Sequence, residues 1–190
     1  MRKFCFHLDS SKARKLDFHH GSSLDENNLI EPFLEACRRG NLDKVEAFLE
    51  SGVDVNSVTE FGEEFALMVA VKLNNLELIN ILLDQGDIDV NMESRPSNIT
   101  SLMMACHDDR PEIVKKLLKN KNIDLNRQDI YGNTAMMVAV LAGSVNCLRL
   151  LSTHCIGRLE LFFSIKGNKL LSRKVGSIWE ICNKPTQYHL

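Results

Sequence analysis

Cys147, His154 and Cys155 bring together the sulfur and imidazole groups that zinc sites use. A zinc site wants four converging ligands, usually as two close pairs, and here the second pair is missing. Cys147 falls where a helix needs a small apolar residue, so we read it as a buried thiol with His154 on the surface. Cys37 and Cys106 read the same way. With Cys5, Cys155 and Cys182 they make six cysteines and no CxxC pair, a usage that fits reduced thiols inside a cell, in the cytoplasm or nucleus. Phosphate loops (GxxxxGK), dinucleotide turns (GxGxxG), HExxH and GxSxG are all missing. The Asp-rich segments lack the ligand spacing and glycine of a calcium loop. These residues point away from catalysis and call for no metal, cofactor or small-molecule substrate.

Charge excludes a second set of functions. The chain of 190 residues has a net charge of −2, distributed as +1 over residues 1–26, −7 over 27–155 and +4 over 156–190. Nucleic-acid binding needs a concentrated cationic face, which an acidic body cannot supply. The basic groups Lys12-Ala-Arg-Lys15 and Arg173-Lys174 are too sparse for a nuclear-import or anionic-surface contact and read as solvated, as does the pair His19-His20 in the N-terminal arm. No apolar run approaches the roughly 20 residues that a bilayer requires. The apolar stretch within MRKFCFHLDSSKARK is interrupted by His7 and is too short for a secretory signal.

The elements that must position the remaining side chains follow from an internal period. Four segments align: PFLEACRRGNLDKVEAFLESGVDVN (32–56), ALMVAVKLNNLELINILLDQGDIDVN (66–91), SLMMACHDDRPEIVKKLLKNKNIDLN (101–126) and AMMVAVLAGSVNCLRLLSTHC (135–155). Ala36, Ala70, Ala105 and Ala139 recur at intervals of 34, 35 and 34. The apolar pairs Phe48-Leu49, Leu82-Leu83 and Leu117-Leu118 keep the same beat, as do Asp54-Val55-Asn56, Asp89-Val90-Asn91 and Asp124-Leu125-Asn126. Each unit reads as two short helices and an extended finger. The first helix is expected to start near Pro32, Ala66, Ser101 or Ala135, with Asp25 to Asn28 as an N-cap cluster before the first. It breaks at Gly40, Asn74, Asp109 or Gly143, residues that tolerate a left-handed turn. The second helix carries apolar residues at helical spacing (Leu76, Ile79, Leu82 and Leu83), and Gly52 and Gly86 are its expected stops. One helix pair cannot bury its apolar face alone, so the units must stack.

The repeat resembles the ankyrin family over residues 27–155, in four units near 27–57, 58–92, 93–127 and 128–155. The resemblance implies an all-α solenoid of helix-turn-helix repeats with β-turn fingers. Where the family has Thr-Pro-Leu-His, this chain has Glu31-Pro-Phe-Leu34, Phe65-Ala-Leu-Met68, Thr100-Ser-Leu-Met103 and Thr134-Ala-Met-Met137. The family's Thr–His hydrogen-bond network is therefore not expected, and Met and Leu replace it with apolar packing. One extra residue in the second repeat, between Gly62 and Ala70 as compared with Gly132 and Ala139, predicts a small bulge in that finger. Residues 1–26 read as a mobile arm. Residues 156–190 diverge; Leu159 to Ile165 could fold back as a cap, or the segment is an alternative ending to a longer repeat array.

The resemblance also implies a function, that of a non-enzymatic adaptor binding proteins on a rigid curved surface. Alternatives are a substrate-recruiting subunit of a ubiquitin ligase, or a shortened form of a longer ankyrin-repeat protein. Fingertips in such stacks are exposed, which makes Phe61 and Tyr131, each just before a turn glycine, candidate anchors. The alternative is that each ring lies on its neighbouring finger. The first helices are expected to present Arg38, Arg39, Lys72, His107 and Asp108 on the concave side, running from basic through mixed to the apolar Leu141 and Ala142. Family members are often hydroxylated on finger asparagines by an iron- and 2-oxoglutarate-dependent asparaginyl hydroxylase that favours Leu, five residues, an acid, an apolar residue and Asn. Leu83 to Asn91 and Leu118 to Asn126 fit that arrangement, so Asn91 and Asn126 are candidate sites.

Overall fold

In the computed structural model residues 27–154 are described; the expectations for the N-terminal arm, Asp25 and Glu26 of the cap cluster, Cys155 and the C-terminal tail lie outside them, while Asn27 and Asn28 of that cluster fall inside the first helix instead of capping it. The described chain runs α1 (Asn27–Arg38), α2 (Leu42–Glu50), α3 (Ala66–Lys72), α4 (Leu76–Leu83), β1 (Glu93–Ser94), β2 (Ile99–Thr100), α5 (Ser101–His107), α6 (Pro111–Leu117), α7 (Ala135–Ala142) and α8 (Val145–His154). Helices α1, α3, α5 and α7 pack in sequence as an inner row, and each leans on the helix that follows it in the chain. The second helices α2, α4, α6 and α8 form the outer row. None of the described helices is long and apolar enough to cross a membrane.

The same turn closes every first helix. Gly40, Asn74, Asp109 and Gly143 take φ values of 62°, 54°, 47° and 77°. The next backbone N–H then reaches back to the repeat alanine: Asn41 to Ala36 O at 3.0 Å, Asn75 to Ala70 O at 3.0 Å, Arg110 to Ala105 O at 2.9 Å and Ser144 to Ala139 O at 2.9 Å. This left-handed closure satisfies carbonyls that a helix end leaves open. It reverses the chain so that the outer helix lies against the inner one. Asn41 and Asn75 also cap the outer helices, accepting from Lys44 N and Leu78 N.

The core is one continuous apolar sheet of contacts between the rows. Ala70, Ala105 and Ala139 are fully buried and Ala36 nearly so; Phe33, Leu78, Ile79, Leu82, Ile113 and Leu117 fill the space around them. Phe33 meets Phe48 edge to face, with ring centroids 6.2 Å apart. Within the paired apolar residues, Phe48, Leu82 and Leu117 are buried while Leu49, Leu83 and Leu118 are only partly so.

Two local expectations change. Helix α1 begins at Asn27, which places Pro32 inside it rather than at its start. Leu29, Phe33, Ala36 and Cys37 lie at helical spacing against the core, and that stripe carries the helix upstream of a proline that removes only one N–H. Gly86 has no left-handed φ; α4 ends at Leu83 with Asp84 as its cap residue. Thr100 and Thr134 still cap α5 and α7, accepting from Met103 N and Met137 N, so the threonine acts here without a histidine beside it.

Candidate protein-binding surface

Each finger starts with a repeated turn in which the Asp carboxylate accepts from the Asn backbone two residues on, at 2.9 Å for Asn56, Asn91 and Asn126 alike. The Asn side chains then differ in use. Asn56 donates to Asp87 O at 2.9 Å and accepts from Asp89 N at 2.8 Å. Asn91 repeats this with Asn122 O at 2.8 Å and Asp124 N at 2.7 Å. Each of these amides links one finger base to the next. Asn126 is exposed and keeps only its local turn among the described residues.

Further out, the fingers are joined by backbone. Arg95 N donates to Gly62 O at 2.8 Å, and Ile130 N donates to Ser97 O at 3.2 Å. The extra residue of the second repeat sits in the turn of the first of the three fingers, whose closing bond runs from Thr59 N to Glu64 O, one residue wider than Asp129 N to Asn133 O in the last. The finger between them is a short antiparallel hairpin, Glu93 opposite Thr100 and Ser94 opposite Ile99. Phe61 and Tyr131 project from the outer two fingers with 73% and 82% of their surface exposed, so neither ring lies down on its neighbour. Ile130, more than half exposed, extends the apolar tip beside Tyr131.

On the inner helices the expected basic end is neutralised. Arg38 contacts Glu31 at 2.7 Å, Glu35 at 3.5 Å and Glu64 at 3.1 Å. Arg39 contacts Glu35 at 2.6 Å, Lys72 contacts Glu64 at 2.7 Å, and His107 Nδ1 lies 2.8 Å from Asp108. Hydrogen bonds from Lys72 and then Arg38 hold the Glu64 carboxyl below the usual carboxylate range. Arg39, and behind it Arg38, does the same for Glu35. These carboxylates offset the positive charge of Arg38, Arg39 and Lys72 on the same surface, in ion pairs that are each worth little when exposed. Glu60 and Glu63 stay exposed beside Phe61, which leaves this end of the surface acidic. Glu64 was absent from the candidate residues, because a Glu–Glu pair before a phenylalanine carries no signal that one of them faces two cations.

The far end is apolar, as the sequence suggested, and forms a groove. Ile99, Met104, Val138 and Leu141 line a cavity of about 310 Å³ between α5 and α7, with Asp129 and His107 at its edge. Cys147 is fully buried in α8, its Sγ 3.8 Å from Ala105 O, while His154 is exposed at the end of that helix. Burial pushes the Cys37 thiol up to about 12, and the neighbouring Cys147 together with burial raises that of Cys106. Such thiols are poor nucleophiles and poor ligands at neutral pH.

Helix pairs closed by identical turns, stacked in two rows with hydrogen-bonded fingers, define a solenoid repeat protein. A family model described as ankyrin repeats (3 copies) matches residues 14–94, 33–129 and 67–159, and the chain belongs to the ankyrin repeat family. Ankyrin repeats are in general modules of protein–protein interaction and not catalysts. The ankyrin repeat, SAM and basic leucine zipper domain-containing protein 1 of Ovis aries is 39% identical over 56 residues, 30% of this chain and 12% of that protein. The Bos taurus protein of the same name gives the same figures. That of Notamacropus eugenii is 42% identical over 64 residues, 34% of this chain and 13% of its own length. The matched stretch thus spans only a small part of these relatives.

Proposed function

We propose that this chain is an adaptor that binds a protein segment along its fingertips and inner helices. The observation that carries the reading is the pair of exposed rings, Phe61 and Tyr131, on fingers joined by backbone hydrogen bonds. A large side chain presented from a fixed backbone loses little entropy when a partner orders it. The acidic surroundings of Phe61 favour a partner with basic residues at that end. The groove beside Met104 and Val138 favours an apolar residue at the other. The cysteine usage and the buried thiols support a cytoplasmic or nuclear setting.

The test is affinity capture from cell extract with wild type beside Phe61→Ala/Tyr131→Ala. Both positions are exposed, so the double variant should melt like wild type. A protein retained by wild type and lost by the variant supports the fingertips as the site. Equal retention by both places binding elsewhere and sinks the proposal.

A further inference from the structure

The outer helices carry a charge pattern that the finger surface does not use. At one equivalent register the residues are Glu46 on α2, Asn80 on α4, Lys115 on α6 and Arg149 on α8. One turn further on, the first three become Glu50, Asp84 and Lys119, all exposed. The sign of the outer face therefore inverts between α4 and α6. Asp43 and Glu77 add to the acidic half, where Lys44 opposes them, and Lys121 adds to the basic half, where Glu112 opposes it, so each half keeps its sign only in net.

The acidic half is also shaped. A groove of about 370 Å³ lies between α2 and α4, with Leu49 and Ile81 along it and Glu46, Glu50 and Asp84 around it. Among the described residues none of these three carboxylates is in an ion pair. A mostly polar groove, with three carboxylates and Gln85 around only two apolar side chains, fits a lysine, whose stem lies along Leu49 and Ile81 while its ammonium reaches the charges. On the basic half, Lys115 is held by Glu112 at 2.9 Å and Lys116 bonds to Asn80. Lys119 stands past them at the end of the helix.

We propose that two copies of this chain pair outer face to outer face in antiparallel orientation, Lys119 of each entering the α2–α4 groove of the other. A two-fold axis between α4 and α6 sets each acidic half over a basic half, so the face is complementary to itself. Parallel pairing sets like charges against each other and is disfavoured. Because the contact rests on exposed charge, it is salt-sensitive.

Sedimentation velocity of the full chain tests this without any variant. A dimer is expected at about 0.01 M ionic strength, where the Debye length is ~30 Å, and a monomer at about 1 M, where it is ~3 Å. Glu46→Lys/Glu50→Lys and Lys115→Glu/Lys119→Glu should each be monomeric at low salt, and their equimolar mixture should recover the dimer. A wild-type monomer at low salt overturns the proposal. So does a dimer kept by both variants, or a mixture that stays monomeric.

Discussion

Arg38 Nε lies 3.1 Å from Glu64 Oε2, and Lys72 Nζ lies 2.7 Å from Glu64 Oε1, so one finger carboxylate ties two successive inner helices. Glu64 is about a quarter exposed, which keeps these bonds short of full screening. Glu64→Gln is expected to cost about 1 kcal/mol at neutral pH. The folded carboxyl has a lowered pKa, so its contribution is complete above the unfolded value of about 4.3 and is lost as pH falls through the folded one. Thermal melts should show the gap between wild type and variant closing below about pH 4. A gap of unchanged size in acid contradicts the assignment.

Leu82 is fully buried and Leu83 only partly, although the sequence offers them as equals. Leu82→Ala should cost roughly 2–5 kcal/mol by urea unfolding, and Leu83→Ala about 1 kcal/mol. Ala105→Asp places an unpaired charge at a position with no exposure and should cost several kcal/mol, on the order of 3–5. Similar losses at Leu82 and Leu83 contradict the helix register.

Asn91 and Asn126 occupy the same place in successive fingers but not the same bonds. Asn91→Ala removes two inter-finger hydrogen bonds and should cost about 1–2 kcal/mol, while Asn126→Ala should be close to neutral. For asparaginyl hydroxylation we propose the order Asn126 before Asn91, since the Asn91 amide must first leave Asn122 O. Peptide mass spectrometry after co-expression with such a hydroxylase checks this. Modification of Asn91 ahead of Asn126 contradicts it.

Cys37, Cys106 and Cys147 are buried thiols whose surroundings oppose ionisation at Cys37 and Cys106. In native protein these three should resist a thiol reagent and react at once in denaturant. Mass mapping of labelled peptides distinguishes them from the other cysteines. Rapid native labelling of Cys106 contradicts its burial in α5 between the neighbouring helices and Cys147.

The frame was readable because its signals are local and repeated. Ala66, Ser101 and Ala135 begin their helices as expected, and Gly40, Asn74, Asp109 and Gly143 all take the left-handed turn. Pro32 misled because the first-turn preference of proline competes with an apolar stripe that continues upstream through Leu29. Gly86 misled because a glycine after a helix permits a left-handed turn without requiring one. The place of Phe61 and Tyr131 before turn glycines left open whether each ring stands free or lies on its neighbouring finger, and only the packing of the fingers decides for exposure. The neutralisation of Arg38 and Lys72 was not legible either. It depends on Glu64, 26 residues from one and eight from the other, and composition cannot show which carboxylate a cation meets.

The backbone bonds from Gly62 to Arg95 and from Ser97 to Ile130 give the fingers the character of leaves in a spring. At the tips, Tyr131 and Phe61 are linked through the middle hairpin, while at the base the Asn56 and Asn91 bonds and the packed inner helices join the same fingers. Compliance is then set by nearest neighbours in series rather than by the molecule as a whole. A ligand whose own span differs from that between the two outer tips would have to strain this series, so the stiffness of the middle hairpin would set which spans it tolerates.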